Sequence, residues 1–169
     1  MVFTDLPWII EARRYEGLAE VPGKNHNPTI THWLNTLKAW WRDDETPWCG
    51  TFVAHCCRHA GRALPKHWYR ALAWVDAGVR LKAPAYGCIA VFGRKGGGHV
   101  GFVVGRDRAG NLLILGGNQG NKVSIAKFER ARAVAFVWPV YPNGGGMPHK
   151  SRYNLPVLAH QGGYSRNEA

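Results

Sequence analysis

The chain has 169 residues, 46% hydrophobic and 20% charged, which is enough for one globular domain with a sizeable core. No apolar run approaches the roughly 18 residues of a membrane helix, and the start, MVFTDLPWIIEARRYEG, lacks the basic, apolar and small-residue order of a signal peptide. The net charge of +11, with fourteen Lys or Arg between residues 50 and 140 against Asp76, Asp107 and Glu129, points to a polyanionic partner. Nucleic acid, anionic lipid and an anionic cell envelope all fit that charge.

In chain order, helical spacing of Trp8, Ile9, Ala12, Tyr15 and Ala19 predicts a helix over residues 7–20, closed by Pro22-Gly23. Asn27-Pro28 reads as an N-cap and first-turn proline opening a second helix to residue 41. Thr46-Pro47 repeats the signal for a third helix, which ends before Gly61, and a fourth is predicted over residues 67–76. From Gly87 the pattern changes to short runs rich in Val, Ile and Phe between glycine-bearing turns: residues 88–92, 99–104, 112–115, 123–126 and 134–140. Helices followed by an antiparallel meander make an α+β fold, with N-terminal helices packed on a C-terminal sheet of about five strands. Residues 1–140 form the predicted domain, and residues 141–169, rich in Gly, Pro and polar residues, an irregular or partly disordered basic tail.

Four cysteines are present, at 49, 56, 57 and 88, and two of them are adjacent, so they read as free thiols rather than a disulfide framework. With Thr46 as N-cap, Cys49 is the third helical residue. Its sulfur then lies near unpaired N–H groups and the positive end of the helix dipole, which favour the reactive thiolate. The same N–H groups suit an oxyanion formed when sulfur attacks an amide carbonyl. Phe52, Val53, Cys56, Cys57 and Ala60 continue a buried face of that helix, so Cys56 and Cys57 read as core, as does Cys88 in its strand.

A thiol nucleophile needs a base and a group that orients the base. Of eight histidines, His99 follows three glycines and opens a strand, at the sheet's end where sites form. The next strand runs into Gly116-Gly117-Asn118-Gln119, and in an antiparallel meander its end lies beside the start of the His99 strand. Asn118 or Gln119 can therefore accept from the imidazole N–H. A zinc site from His55, Cys56, Cys57 and His59 is disfavoured because adjacent cysteines point about 100° apart on a helix. No metal is expected. The loop Gly96-Gly97-Gly98 lacks the Lys-Ser/Thr of a phosphate loop. The eight Trp allow either stacking on a ligand or amphipathic packing.

Pro47-Trp48-Cys49-Gly50-Thr51-Phe52-Val53, Gly87-Cys88-Ile89-Ala90-Val91-Phe92, Gly98-His99-Val100-Gly101-Phe102 and Gly116-Gly117-Asn118-Gln119 share one layout. It resembles the papain-like cell-wall hydrolases of the NlpC-like and CHAP (cysteine, histidine-dependent amidohydrolase/peptidase) type, over residues 8 to 140, and within them a small phage-associated subgroup. Cys88 departs from the pattern, standing where many relatives have Asp. The resemblance implies Cys49 as nucleophile, His99 as base and Asn118 as the orienting residue. Trp48, Gly98 and Gln119 are expected on the substrate, and no cofactor is implied.

The implied activity is cleavage of an amide bond in the stem peptide of bacterial peptidoglycan, by an amidase or a cysteine endopeptidase. An exporter-independent chain acting in the periplasm fits a phage endolysin, or alternatively a delivered antibacterial toxin with the same chemistry. Peptidoglycan and the anionic envelope surface are the expected partners, with no specific nucleic acid, and a monomer is expected. A noncatalytic basic nucleic-acid- or envelope-binding domain also explains the charge, but it gives no role to Cys49 or to the Gly98-His99 strand entry.

Overall fold

The computed structural model describes residues 5–160 and 162–165. Three helices, α1 (Pro7–Arg14), α2 (Pro28–Thr36) and α3 (Cys49–His59), precede six strands: β1 (Gly78–Leu81), β2 (Ile89–Arg94), β3 (Gly97–Arg106), β4 (Leu112–Gly116), β5 (Ser124–Phe128) and β6 (Ala133–Pro139). All pairings are antiparallel, in the order β1-β6-β2-β3-β4-β5. The α+β, papain-like architecture is the one the sequence predicts, with β1 added at the edge beside β6.

The helices are shorter than their sequence signals. α1 stops at Arg14 because Gly17 takes φ 91, turning the chain out of helical geometry. The following residues run alongside the loop before β5, with Gly17 N–H donating to Val123 O, Val123 N–H to Leu18 O and Glu20 N–H to Asn121 O. That strip brings Glu20 to the end of the sheet where His99 begins its strand. α2 is capped as predicted, the Asn27 side chain accepting from Thr29 N–H at 2.9 Å, but it ends at Thr36. Residues 67–76 form no α-helix; only a 3₁₀ turn, Ala71–Asp76, is present.

Burial explains the strand composition. β4 is buried at every position and β2 through its first four residues, as expected of strands covered on both faces. Trp8, Trp33, Phe52 and Val53 from the helices meet Phe102, Ile114 and Leu115 of the sheet in one core. The segment after β6 is irregular, but its described residues are tied down. Tyr86 N–H donates to Arg152 O, Arg106 N–H to Pro156 O, Leu158 N–H to Arg106 O and Ser165 N–H to Lys127 O. Gly105 has no Cβ because one would stand 2.8 Å from Pro156 O, so the tail presses directly on β3.

Asp44 is a buried charge that the sequence did not announce. It accepts from Val21 N–H at 2.7 Å and Asn27 N–H at 2.6 Å and pairs with His26, so one carboxylate ties the loop before α3 to the start of α2. Those bonds and the His26 partner hold its pKa below the usual carboxylate range against the opposing effect of burial.

Candidate active site

Cys49 is the first residue of α3 rather than its third, with Trp48 in the capping place. Thr46 does not cap the helix, because its N–H and hydroxyl both donate to Asp43 Oδ1, at 2.7 and 2.8 Å, in a separate turn. The thiol therefore sits at the very start of the helix, with Phe52 N–H closing the first turn onto Trp48 O.

Gly50 permits this approach. A Cβ there would stand 2.5 Å from the Trp68 carbonyl, so only glycine lets the 68–69 backbone lie against the first turn.

Cys49 is 5% exposed. The helix it opens, α3, packs on β3, the strand that carries His99 and Val100. Burial pushes the thiol above its ordinary value, and the N–H groups of Val100, Gly50 and Cys49 itself, with the Arg94 charge, only partly oppose it. Desolvation at this buried position thus works against the thiolate that the helix start favours. Cys56, Cys57 and Cys88 are fully buried free thiols, as their patterns predict, and burial raises Cys88 to about 12.

His99 is wholly buried, pairs across the sheet with Phe92 and stacks on Phe128 at 5.4 Å and 9°. Its Nε2 lies 2.9 Å from Gln119 Oε1. The amide of Gln119 cannot be reversed without loss, since its Nε2 donates to Ser124 O at 2.7 Å and Ile114 O at 3.1 Å. Oε1 is an acceptor only, so His99 Nε2 must carry the proton, and in the neutral ring Nδ1 carries the lone pair. Three strand and turn carbonyls and amides thereby select the tautomer of one imidazole.

The oxygen facing His99 Nε2 belongs to Gln119, one of the two amides the sequence left open, while the resemblance implied Asn118. Asn118 is buried in the left-handed region at φ 59, and this turn brings the following side chain back beneath β4. Gly116 keeps the space for it: a Cβ there would meet Gln119 Oε1 at 2.5 Å.

The three residues expected on the substrate take different positions. Trp48 is 1% exposed, its ring fills the space beside Gly117, and its indole N–H donates to Glu20 Oε2 at 3.0 Å. It is a wall of the site with no face open to a ligand. Gly98 makes room for Leu72 and the Phe92 carbonyl, each 2.8 Å from where a Cβ would stand. Gln119, the third, is engaged with His99. Glu20 was missed as a contributor because its link to Trp48 joins positions 28 apart in the chain.

The histidines on α3 belong elsewhere. His55 Nε2 lies 2.7 Å from buried Glu11, His59 lies 3.6 Å from the same carboxylate, and His55 stacks on Trp33. Among the described residues no group of three His, Cys, Asp or Glu has metal-binding geometry.

A helix-start thiol on α3 thus packs against the strand of a buried histidine that faces an amide oxygen, on an α+β scaffold consistent with a papain-like fold. Residues 41–118 match the family model of the CHAP domain, a segment that carries Cys49 and His99 and ends one residue before Gln119. Over that segment the chain is similar to the CHAP domain, a family whose chemistry is amidase or peptidase hydrolysis of peptidoglycan. No curated protein matches the chain.

Proposed function

We propose that this protein cleaves an amide bond of the peptidoglycan stem peptide, with Cys49 as nucleophile and His99 as acid and base. The observation that carries the reading is the packing of α3, which Cys49 opens, against β3, which carries His99, with His99 Nε2 facing Gln119 Oε1. His99 Nδ1 takes the thiol proton as sulfur adds to the carbonyl carbon, which suits a thiol that burial pushes above its ordinary value. The unpaired N–H groups at the start of α3 hold the oxyanion. His99 then gives its proton to the leaving amine as the C–N bond breaks. Water, deprotonated by His99, releases the acyl group and restores the thiol.

The net charge of +11 supports work on an anionic envelope, and a phage endolysin acting at the cell wall is the setting we favour. Incubation of the protein and of Cys49→Ala with purified sacculi tests the reading by mass spectrometry of released fragments. New amine and carboxyl ends from the wild type alone are expected. Equal release by Cys49→Ala removes Cys49 from the mechanism.

A further inference from the structure

Beside Cys49 lies a surface whose composition the thiol chemistry does not use. Trp40 is 87% exposed, and its ring packs edge-on to Trp41 at 5.1 Å. Trp41 stacks on Trp68 at 5.9 Å and meets Tyr69 edge-on at 5.4 Å. These rings are held, not loose. Arg42 donates to Ala39 O and Trp41 O, and Trp74 Nε1 donates to Trp68 O at 2.8 Å.

The surface is continuous with the nucleophile on two sides. Trp40, Trp41 and Tyr69 line a cavity of about 240 Å³ together with Thr46 and Pro47, and Pro47 is two residues before Cys49. On the other side, the backbone of Trp68 and Tyr69 rests on Gly50, the residue after Cys49. Two residues of extended chain span at most about 7 Å. The Pro47 wall of the cavity therefore lies within about 7 Å of the Cys49 backbone.

We infer that Trp40, Trp41 and Tyr69 form a subsite for the glycan strand, and that the bond cut lies at the sugar-proximal end of the stem. The inference rests on the peptidoglycan reading above and deepens it. Pyranose rings present flat C–H faces that stack on indole, while the lining residue Thr46 is polar and suits hydroxyl and acetamido groups. An aromatic face that a charged peptide would leave wet is matched by an uncharged sugar. A cross-link at the far end of a stem peptide lies several residues from the sugar, out of reach while the strand occupies this cavity.

The test uses the full chain and Trp40→Ala, a substitution at an exposed ring that does not disturb the core. Binding of a hexamer of β-1,4-linked N-acetylglucosamine is measured by calorimetry. Cleavage is followed on soluble, uncross-linked peptidoglycan strands, with the fragments identified by mass. Expected are about tenfold weaker sugar binding in Trp40→Ala, equal to about 1.4 kcal/mol, a matching rise in KM with kcat kept, and cleavage next to the sugar. Wild type that ignores the hexamer, equal binding by both proteins, or a cut confined to the cross-link overturns the inference. Loss of oligodeoxythymidylate binding in the variant, with no sugar binding in either, overturns it in favour of a nucleic-acid face. Sugar binding that depends on Trp40, without peptidoglycan cleavage by the wild type, upholds the subsite and sinks the hydrolase reading instead.

Discussion

Replacing Gln119 by Ala tests whether one amide sets the tautomer of the base. The truncation removes the acceptor of the His99 Nε2 proton and the donor to Ile114 O and Ser124 O. Each buried group left unpaired costs about 1–3 kcal/mol, and water entering the vacated volume recovers part of that. A loss of about 2–4 kcal/mol is therefore expected, a large share of the roughly 5–15 kcal/mol that holds a domain folded. Once the imidazole is free to change tautomer and turn, kcat/KM falls by at least about 10²-fold, or about 2.7 kcal/mol of transition-state stabilisation. Melting temperature by scanning calorimetry and turnover of soluble peptidoglycan strands separate the two effects. Gln119→Glu restores an acceptor for His99 but sets a carboxylate against two carbonyls, so it recovers activity relative to Ala while remaining less stable than wild type. Asn118→Gly keeps the left-handed turn and stays within about tenfold of wild type, a smaller loss than the 10²-fold expected of Gln119→Ala. A folded Gln119→Ala protein with wild-type kcat/KM, or an Asn118→Gly protein as impaired as Gln119→Ala, refutes this assignment.

Gly116→Ala places a methyl 2.5 Å from Gln119 Oε1, and it is expected to lower kcat more than tenfold through the displaced amide, read in the same turnover assay. Native-state alkylation with iodoacetamide labels Cys49 and spares Cys56, Cys57 and Cys88, as peptide mapping shows. Because burial raises the Cys49 thiol above its ordinary 9.0, the labelling rate keeps climbing beyond pH 9, and a plateau already reached below pH 7 contradicts this. Stability falls with acid for a defined reason. Glu11 is held below its ordinary 4.5 and His55 below 6.5, so the unfolded chain binds more protons as pH drops through 6.5 and then through 4.5. The melting temperature therefore declines from neutral pH toward pH 4, and Glu11→Gln lowers it at neutral pH while flattening the acid part of the slope.

The parts of the site that local pattern controls were legible in the sequence. Cys49 could be placed at a helix start from the Thr46-Pro47 signal, and His99 at a strand start from the glycines before it, because both depend on neighbours in the chain. The detail of where α3 begins was not, since Thr46 is a good cap that Asp43, three residues back, captures instead. Competition of this kind between two local partners is decided by what surrounds the loop, and here buried Asp44 fixes the loop from the other side. The same holds for α1, where Gly17 ends the helix and its neighbours pair with residues 121–123.

The choice between Asn118 and Gln119 shows the limit most clearly. Both are amides of the right chemistry, adjacent in sequence, and strand alternation alone would send one toward His99 and the other away. A turn has no such alternation. At φ 59 Asn118 redirects the chain, and the longer Gln119 side chain reaches back under β4 to find Ile114 O, Ser124 O and His99 together. The extra methylene of Gln is what spans that return, and Gly116 supplies the space through which it passes. The residue that orients the base is thus selected by backbone handedness and side-chain length acting jointly, two quantities that a linear motif does not carry.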